Sequence, residues 1–219
     1  EIHERLVGSE MCIRDRKIEE MDVVFLMDRF GYAKTVDVSV YERNKEAADT
    51  ENRYILTCKN TDKICIFTNK GQMHLLKVLD LPYGKFRDKG IPIDNLSNYD
   101  SSEENFIYII NLGAIIHSRL LFGTKTAMLK MVDGSEFDVA KRTTASTKLN
   151  EDDELLIVHA MTGEETVVMQ SEKEMFLRIE ASTIPEKKKG AVGVRGMKLN
   201  AGDALSNIYV LDGENEQTV

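Results

Sequence analysis

The sequence has no tryptophan, only three prolines and three cysteines, and no apolar run near the ~20 residues that a membrane-spanning helix needs. A transmembrane protein is thereby excluded. Cys12, Cys58 and Cys65 cannot all pair and follow no metal-ligand spacing, and the N-terminus lacks the basic-then-apolar layout of a signal peptide. These absences favour a protein of the reducing cytoplasm. The 219 residues suffice for one substantial domain or two small ones.

Motifs of catalysis and metal binding are also missing. The sequence contains no G-x-S-x-G nucleophile elbow and no H-E-x-x-H pair. The acid run Glu151–Glu154 is typical of a solvated turn before a strand. The histidines occur singly, which favours strand residues over metal ligands; they are His3, His74, His117 and His159. We therefore predict neither an enzyme active site nor a metal site in these residues.

The formal net charge of -8 argues against a polyanionic ligand only until its position along the chain is considered. Residues 1–21 hold six acids and four bases, and residues 201–219 hold four acids and no base. Residues 22–200 carry 27 acids and 25 bases. A stretch this close to neutrality permits a basic stripe on one face of the molecule.

Short apolar runs rich in β-branched and aromatic residues recur along the chain, bounded by polar turn formers. Their length and punctuation are typical of strands joined by hairpins. The runs are Val23–Met27, Ile64–Phe67, Phe106–Ile110, Leu155–Val158, Val167–Met169 and Ile208–Leu211. Only Arg14–Met21 has a helical pattern. The chain is therefore predicted to be all-β.

The sequence also resembles itself at fixed offsets. A shift of 103 residues places Leu81–Pro82 on Ile184–Pro185, and a shift of 92 places Phe30–Gly31 on Phe122–Gly123. The turn positions that follow, spaced by 40, 52 and 51 residues, are Gly31, Gly71, Gly123 and Glu174. About 50 residues is the size of one four-stranded propeller blade, so four blades fit within residues 22–211.

Basic residues stand at or beside each of these turns. Because they recur at matching places in successive blades, they should emerge on one side of the assembly and form a basic path along its rim. Such a path holds a long polyanion without reading its sequence. A solvated charged face is the alternative. The bases are Arg29 and Lys34, Lys70 and Lys77, Lys125 and Lys130, and Lys173 and Arg178.

A glycine-rich stretch, Gly190–Gly196, lies among further bases. Its spacing is not that of a dinucleotide fingerprint, and two interpretations stay open. The glycines permit a bent strand, or they let the backbone approach a phosphate chain. The neighbouring bases are Lys187, Lys188, Lys189, Arg195 and Lys198.

Four segments resemble the C-terminal domain of bacterial type IIA topoisomerase A subunits, the family of DNA gyrase and topoisomerase IV. They are Asp22–Glu42, Ile64–Pro82, Lys89–Leu96 and Gly190–Leu205, within a resemblance that spans residues 20–211. It implies an all-β β-pinwheel, a propeller-like disc of four-stranded antiparallel blades that exchange strands, about four blades here. It also implies a basic rim that binds and bends duplex DNA. The expected phosphate contacts are Arg29, Lys34, Lys70, Lys77, Lys125, Lys130, Lys173, Arg178, Arg195 and Lys198.

The resemblance places DNA cleavage and ATP hydrolysis outside these residues. The implied partners are duplex DNA, the topoisomerase B subunit, and the cleavage core of the parent A subunit, with no membrane. No cofactor is expected in this fragment, whereas the parent enzyme uses ATP and Mg²⁺ in its other parts. The expected location is the cytoplasm, on the chromosome.

One element separates the members of this family. Gyrases carry a glycine- and base-rich heptapeptide in the first blade that completes DNA wrapping, whereas the corresponding residues Arg43–Asn52 contain no glycine. This favours a topoisomerase IV-like A subunit, or a gyrase paralogue that does not supercoil, over a gyrase wrapping domain. A protein-interaction propeller is the rival from another class, which an acidic or apolar rim would favour.

The expected boundaries follow from the extent of the resemblance. Residues 17–211 form the DNA-binding pinwheel, and residues 212–219 form an acidic tail. Residues 1–16 do not match the family. Within them Gly8–Arg16 resembles a translated sequencing adapter, with a genuine linker from the cleavage core as the alternative.

Overall fold

Short strands follow one another through almost the whole of the structure. The computed structural model describes residues 18–212, so residues 1–16 and all but the first residue of the expected acidic tail lie outside the described residues. The strands are β1 (Asp22–Met27), β2 (Tyr32–Asp37), β3 (Tyr54–Lys59), β4 (Lys63–Thr68), β5 (Gln72–Lys77), β6 (Tyr83–Gly84), β7 (Ile91–Pro92), β8 (Phe106–Asn111), β9 (Arg119–Thr124), β10 (Met128–Asp133), β11 (Thr143–Ala145), β12 (Leu155–Met161), β13 (Thr166–Ser171), β14 (Phe176–Glu180), β15 (Val194–Arg195) and β16 (Leu205–Leu211). Each of the six apolar runs lies in a strand, which confirms the all-β prediction.

Three short α-helices interrupt the strands of the described residues. They are α1 (Val38–Arg43), α2 (Lys45–Glu51) and α3 (Leu112–Ile115). Asp37 begins α1 because its carboxylate accepts a hydrogen bond from the Ser39 N–H. The helix predicted at Arg14–Met21 is wrong over residues 18–21, which have no regular structure, and residues 14–17 lie outside the described part of the chain.

Four antiparallel sheets, called blades 1 to 4, are each built on a hairpin. The hairpins are β1–β2, β4–β5, β9–β10 and β13–β14. A third strand of the same blade then pairs with the first hairpin strand; in blade order these are β3, β8, β12 and β16. The expectation of about four blades is confirmed for the described residues.

The outer strand of blades 1 to 3 comes from further along the chain. After the hairpin of blade 2, β6 and β7 return to pair with β2 of blade 1. In the same way β11 pairs with β5 of blade 2, and β15 pairs with β10 of blade 3. Blade 4 has no such strand among the described residues. This exchange between neighbours is the expected pinwheel arrangement.

The hairpin turns show which residues are equivalent between blades. Each turn holds one residue with positive φ; these are Gly31, Gly71, Ala127 and Glu174. The 103-residue offset is thereby confirmed for blades 2 and 4. Gly123 lies inside β9, so the 92-residue offset and the third turn derived from it are wrong. The prediction failed because an alanine, which has no turn signature, adopts the left-handed conformation that glycine usually takes.

Apolar side chains fill the space between successive blades. Phe25 lies in the cluster between blades 1 and 2, Phe67 between blades 2 and 3, and Met169 between blades 3 and 4. Cys58 and Cys65 are free and buried in these clusters, and burial raises the pKa of their thiols to about 11 and about 12. These two thiols therefore belong to the apolar core, and Cys12 lies outside the described residues.

Helices α1 and α2 cover the outer face of blade 1. Ala48 of α2 is fully buried there together with Val24, Leu26 and Val36 of the sheet. The first blade therefore buries its second face under local chain instead of under another blade.

The third strands mark the centre of the disc, and the exchanged strands mark its rim. From blade to blade β3 contacts β8, β8 contacts β12, and β12 contacts β16. The exchanged strands β6, β11 and β15 instead make their main contacts with the hairpin strand that they join. Because blades converge at the centre of a disc and diverge at its edge, the exchanged strands form the outer rim.

Candidate nucleic-acid interface

Three segments that carry the exchanged strands form the rim, and they are strongly basic. They are residues 83–92 on blade 1, residues 138–145 on blade 2 and residues 185–198 on blade 3. Together they hold ten Lys or Arg and three Asp or Glu, in a chain that has 29 bases and 37 acids. We call these three segments the rim segments. They concentrate positive charge on the outer edge of an acidic protein.

Most of the rim bases are exposed, and their head groups make few contacts with other residues that the structure describes. Lys188 is 86% exposed and approaches Glu136 at 3.4 Å. Eight further head groups make no hydrogen bond or ion pair within residues 18–212; they belong to Lys85, Arg87, Lys89, Lys141, Arg142, Lys187, Arg195 and Lys198. An exposed base of this kind can neutralise a phosphate without first giving up a contact inside the protein.

Lys130, an expected phosphate contact, lies inside the protein. It is 1% exposed on β10. Its Nζ donates to the carbonyl oxygens of Lys188, Lys189 and Ala191, at 3.1, 3.0 and 2.6 Å. The three donors of the ammonium are thereby used within the blade 3 rim segment. The structure therefore corrects the expectation that Lys130 contacts a phosphate.

Lys34 has the same arrangement in blade 1. It is half-buried on β2, and its Nζ donates to the carbonyl oxygen of Phe86 and, at 3.0 Å, to that of Asp88. The ammonium also lies 5.0 Å from the centroid of the Phe86 ring. Lys34 thus faces the blade 1 rim segment from within, and two of its three donors are already used there.

The burial of Lys130 predicts a pH dependence of stability. Burial lowers the pKa of its ammonium to about 8, with Glu136 opposing the shift. The unfolded chain has a lysine pKa of about 10.4, so it binds more protons than the folded protein between these values, and the contribution of Lys130 to stability rises with pH. Relative to a K130M variant, the wild type should gain about 1 kcal/mol of unfolding free energy between pH 8 and pH 9. Urea unfolding of both proteins at the two pH values measures this, and an unfolding free energy of wild type minus K130M that stays constant or falls from pH 8 to pH 9 would contradict it.

Lys70 and Lys125, at the hairpin turns of blades 2 and 3, share one carboxylate. Lys70 Nζ lies 3.1 Å from Glu154 Oε1, and Lys125 bonds the other oxygen. The hydrogen bonds from Lys125 and then Lys70 lower the pKa of the Glu154 carboxyl. The acid run Glu151–Glu154 does form a turn before β12, but it is not solvated throughout: Asp153 is buried and accepts hydrogen bonds from Thr126, and Glu154 joins two blades. Both lysines are exposed and partly neutralised.

The other turn bases are also engaged locally. Lys173 donates to the carbonyl oxygen of Ala201 at 3.1 Å. The Arg29 guanidinium lies 4.6 Å from the centroid of the Phe30 ring. Both side chains remain exposed, at the end of the sheets that carries the hairpin turns.

The four remaining expected contacts are exposed. Arg195 and Lys198 belong to the blade 3 rim segment, and Arg178 lies on β14, the outermost strand of blade 4. Lys77 ends β5 and lines a cavity of about 280 Å³ together with Arg142 of the blade 2 rim segment. Lys77, Arg195 and Lys198 thus lie at the rim, whereas the turn bases lie at the end of the sheets that carries the hairpin turns.

Sequence reasoning missed five rim bases; they are Lys85, Arg87, Lys89, Lys141 and Arg142. A signal was available for blade 1, because the Leu81–Pro82 pair is equivalent to the Ile184–Pro185 pair at the start of the blade 3 rim segment. The carbonyl oxygen of Pro82 accepts the Thr35 N–H at 2.8 Å, and that of Pro185 accepts the Met131 N–H at 3.0 Å. These matching bonds mark where an exchanged segment starts.

The two interpretations of Gly190–Gly196 can now be separated. A Cβ at Gly193 would lie 2.5 Å from the carbonyl oxygen of Leu129, whereas a Cβ at Gly190 would meet nothing within 4 Å. Gly193 therefore lets the exchanged strand β15 lie against the backbone of β10. The close approach that needs glycine is to protein, and phosphate contact by the neighbouring bases stays a prediction.

The histidines have separate surroundings. His74 on β5 is fully buried, with Nε2 3.0 Å from Glu104 Oε2 and Nδ1 3.0 Å from Thr143 Oγ1 of the exchanged strand β11. His159 lies on β12, but His117 lies in a turn after α3, so the strand prediction is wrong for that residue. His3 lies outside the described residues. Within residues 18–212, no group of three or more His, Cys, Asp or Glu side chains could hold a metal ion, and no helix is long and apolar enough to cross a membrane.

Solved structures with the same fold come from type II topoisomerases. The C-terminal domain of DNA topoisomerase IV superposes with a TM-score of 0.81 at 23% identity, covering 89% of this chain and 62% of that one. A DNA gyrase A C-terminal domain superposes with a TM-score of 0.56 at 18% identity, covering 87% of this chain and 65% of that one. These likenesses confirm the pinwheel fold.

Sequence comparison leads to the same family. Residues 118–160 and 165–212, which hold blades 3 and 4, match the family model described as DNA gyrase C-terminal domain, beta-propeller. The DNA gyrase A protein of Lawsonia intracellularis is 28% identical over 227 residues, covering 98% of this chain and 27% of that protein. The chain spans about a quarter of the length of the curated relatives that it matches. Blades 3 and 4 thus match the DNA gyrase C-terminal domain family, and nearly the whole chain is similar to DNA gyrase A subunits.

Proposed function

We propose that this chain binds and bends duplex DNA without reading its sequence, as one part of a type II DNA topoisomerase A subunit. The observation that carries this proposal is the charge of the rim segments, with ten bases and three acids on the outer edge of an acidic chain. Bases along such an edge neutralise phosphates and release counterions, which gives salt-sensitive binding of any sequence.

Bending follows from the shape of the charged surface. The rim segments lie on three successive blades of a disc, so a duplex that follows them must curve. Smooth bending by 40–90° costs on the order of 1–6 kcal/mol. Phosphate contacts on all three blades offset this cost, whereas a straight duplex would reach fewer of them.

The proposed contacts are the exposed bases of the rim. They are Lys77, Lys85, Arg87, Lys89, Lys141, Arg142, Lys187, Lys188, Arg195 and Lys198. The turn bases Arg29, Lys70, Lys125 and Lys173, with Arg178, form a weaker second set. Lys70 and Lys125 already pair with the Glu154 carboxylate, which would compete with a phosphate for them, so each would contribute less to DNA affinity.

The remaining functions of the parent enzyme belong to other parts of it. We propose that the A-subunit cleavage core and the B subunit, with ATP and Mg²⁺, perform DNA cleavage and strand passage. This domain would present a bent segment to that core, on the chromosome in the cytoplasm. The length relation to the gyrase A relatives supports such a division.

Two features support a topoisomerase IV-like bending domain. Arg43–Asn52, where the gyrase heptapeptide would lie, is occupied largely by α2, which packs on blade 1. The TM-score of 0.81 to the topoisomerase IV domain exceeds the 0.56 to the gyrase domain. A gyrase wrapping domain is the second candidate, favoured by the 28% identity to gyrase A proteins. A basic rim does not favour the protein-interaction propeller.

Binding to fluorescently end-labelled duplexes of ~40 and ~150 base pairs, about a quarter and one whole persistence length, tests the proposal. We expect tight binding at low salt that falls steeply as salt rises, equal affinity for AT-rich and GC-rich sequences, and energy transfer that reports a shortened end-to-end distance. A moderate shortening fits the topoisomerase IV-like domain, whereas ends brought together on the longer duplex would favour gyrase-like wrapping. Absence of binding at low salt would refute the DNA-binding proposal.

A further inference from the structure

We propose that Lys34 and Lys130 are positioning residues, each of which holds a basic rim loop in the shape that presents its exposed bases to DNA. The loops are residues 85–89 in blade 1 and residues 187–191 in blade 3. This inference rests on the DNA-binding function proposed above. It gives the two lysines a role in DNA binding without contact to DNA.

The two lysines occupy equivalent places in their blades. Each is the third residue after the positive-φ residue of its hairpin turn, Gly31 in blade 1 and Ala127 in blade 3. Each directs its ammonium to main-chain carbonyls of the segment that supplies the outer strand of the same blade. The same contact has therefore been built twice, around two different loop sequences.

Blade 2 has a different residue at this position, and its rim segment has no loop with three bases. The equivalent residue there is His74, which bonds the side chain of Thr143 on β11 and that of Glu104. His74 therefore contacts the exchanged strand β11 through side chains, and it bonds no main-chain carbonyl of the segment that precedes β11. The lysine arrangement is thus found in the two blades whose rim segments carry loops with three bases each.

Carbonyl oxygens that converge on a buried ammonium turn the loop in a defined way. When the carbonyls of Lys188, Lys189 and Ala191 point inward at Lys130, the side chains of Lys187 and Lys188 are left on the outer side. A buried charge is unfavourable unless polar groups compensate it, and an apolar residue would fill this place at lower cost. A lysine at this position is explained if its function is to fix the shape of the loop.

The ammonium also opposes the tendency of the loop to open. Like charges on adjacent lysines repel one another, and this repulsion favours an extended, mobile loop. Bonds from one ammonium to three main-chain oxygens hold the segment despite the repulsion. The entropy of ordering the loop is then lost on folding and not on DNA binding, which raises affinity.

K130M and K34M variants test this, each serving as the control for the other. Methionine keeps the length and apolar stem of lysine and removes all donors. Trypsin cleavage after the loop lysines should become about tenfold faster at residues 187–189 in K130M only, and at residues 85–89 in K34M only, because cleavage follows the open fraction of each loop. This readout does not involve DNA, so it decides the anchoring whether or not the protein binds DNA.

DNA binding supplies the second readout. Loss of one direct phosphate contact lowers the slope of log affinity against log salt by about 0.9, so a lysine that merely touches DNA cannot exceed that value. Loss of the positioned blade 1 loop, with Lys85, Arg87 and Lys89, should lower the slope by about 2.7, and loss of the blade 3 loop, with Lys187 and Lys188, by about 1.8. K34M, whose lysine is only half-buried, keeps the test decisive if K130M does not fold.

Three results would overturn the inference. Equal acceleration of cleavage at both loops in each variant would mean a general loss of stability. Loops that stay resistant to trypsin would mean that the lysines do not hold them. If the loop becomes mobile but the slope of log affinity against log salt falls by about 0.9 or less, the shape of the loop does not matter for DNA binding. A wild type that binds no DNA refutes the proposed function instead, and leaves the trypsin result to decide the anchoring.

Discussion

Replacing Gly193 by alanine should release the exchanged strand from blade 3 and destabilise the protein by about 2–3 kcal/mol, as overpacking does. The added Cβ would lie 2.5, 2.7 and 2.9 Å from the O, C and N atoms of Leu129. All three are backbone atoms of β10, a strand paired on both sides, so no flexible side chain can move away. Urea unfolding measures the loss. DNA affinity should fall with it, because β15 holds the blade 3 rim segment and its bases against the blade.

Gly190→Ala is the matched control for this variant. It lies three residues away in the same rim segment, and its added Cβ would meet nothing within 4 Å. We expect stability and DNA affinity within about 0.5 kcal/mol of the wild type. If both alanine variants behave alike, β15 does not depend on close backbone approach, and the account of the glycine-rich stretch is refuted.

Much of the fold could be predicted because strands leave a local signal. Val23–Met27 and Ile64–Phe67 are apolar, β-rich and bounded by turn residues, and both lie in hairpins of the structure. The helices were missed because α1 and α2 have six and seven residues, too few to show a helical period. The third turn was misplaced because the choice between Gly123 and Ala127 depends on tertiary packing, and glycine is only a preference.

The site was harder to predict than the fold, because strand exchange is a non-local property. The sequence shows that blade 3 has a lysine near its hairpin turn. It does not show that Lys130 points inward at the carbonyl of Lys189, 59 residues away. The same folding moves Lys141 and Arg142, from the chain after blade 3's hairpin, onto the rim of blade 2. A basic path was foreseeable, but the residues that form it depend on which blade each segment joins.

The largest effect on DNA binding should come from neutralising three rim bases of one blade. In the variant K187Q/K188Q/R195Q we expect the salt slope to fall by about 2.7, or about 0.9 for each lost contact. Because this electrostatic term vanishes near 1 M salt, the affinity at ~0.1 M should fall by a factor of a few hundred. AT-rich and GC-rich duplexes should lose equally, since phosphate contacts carry no sequence information. A salt titration by fluorescence anisotropy measures both quantities.

The variant K70Q/K125Q/K173Q provides the comparison, because it changes the net charge of the protein by the same amount. Long-range attraction of DNA is therefore reduced equally in both variants, and any difference between them is local. Lys70 and Lys125 already share Glu154, and Lys173 bonds a carbonyl oxygen, so we expect less than about a tenfold loss of affinity. If the turn variant instead lost more affinity than the rim variant, DNA would follow the hairpin turns. The exchanged strands would then be structural, and the bases first singled out by the repeat would be the binding site.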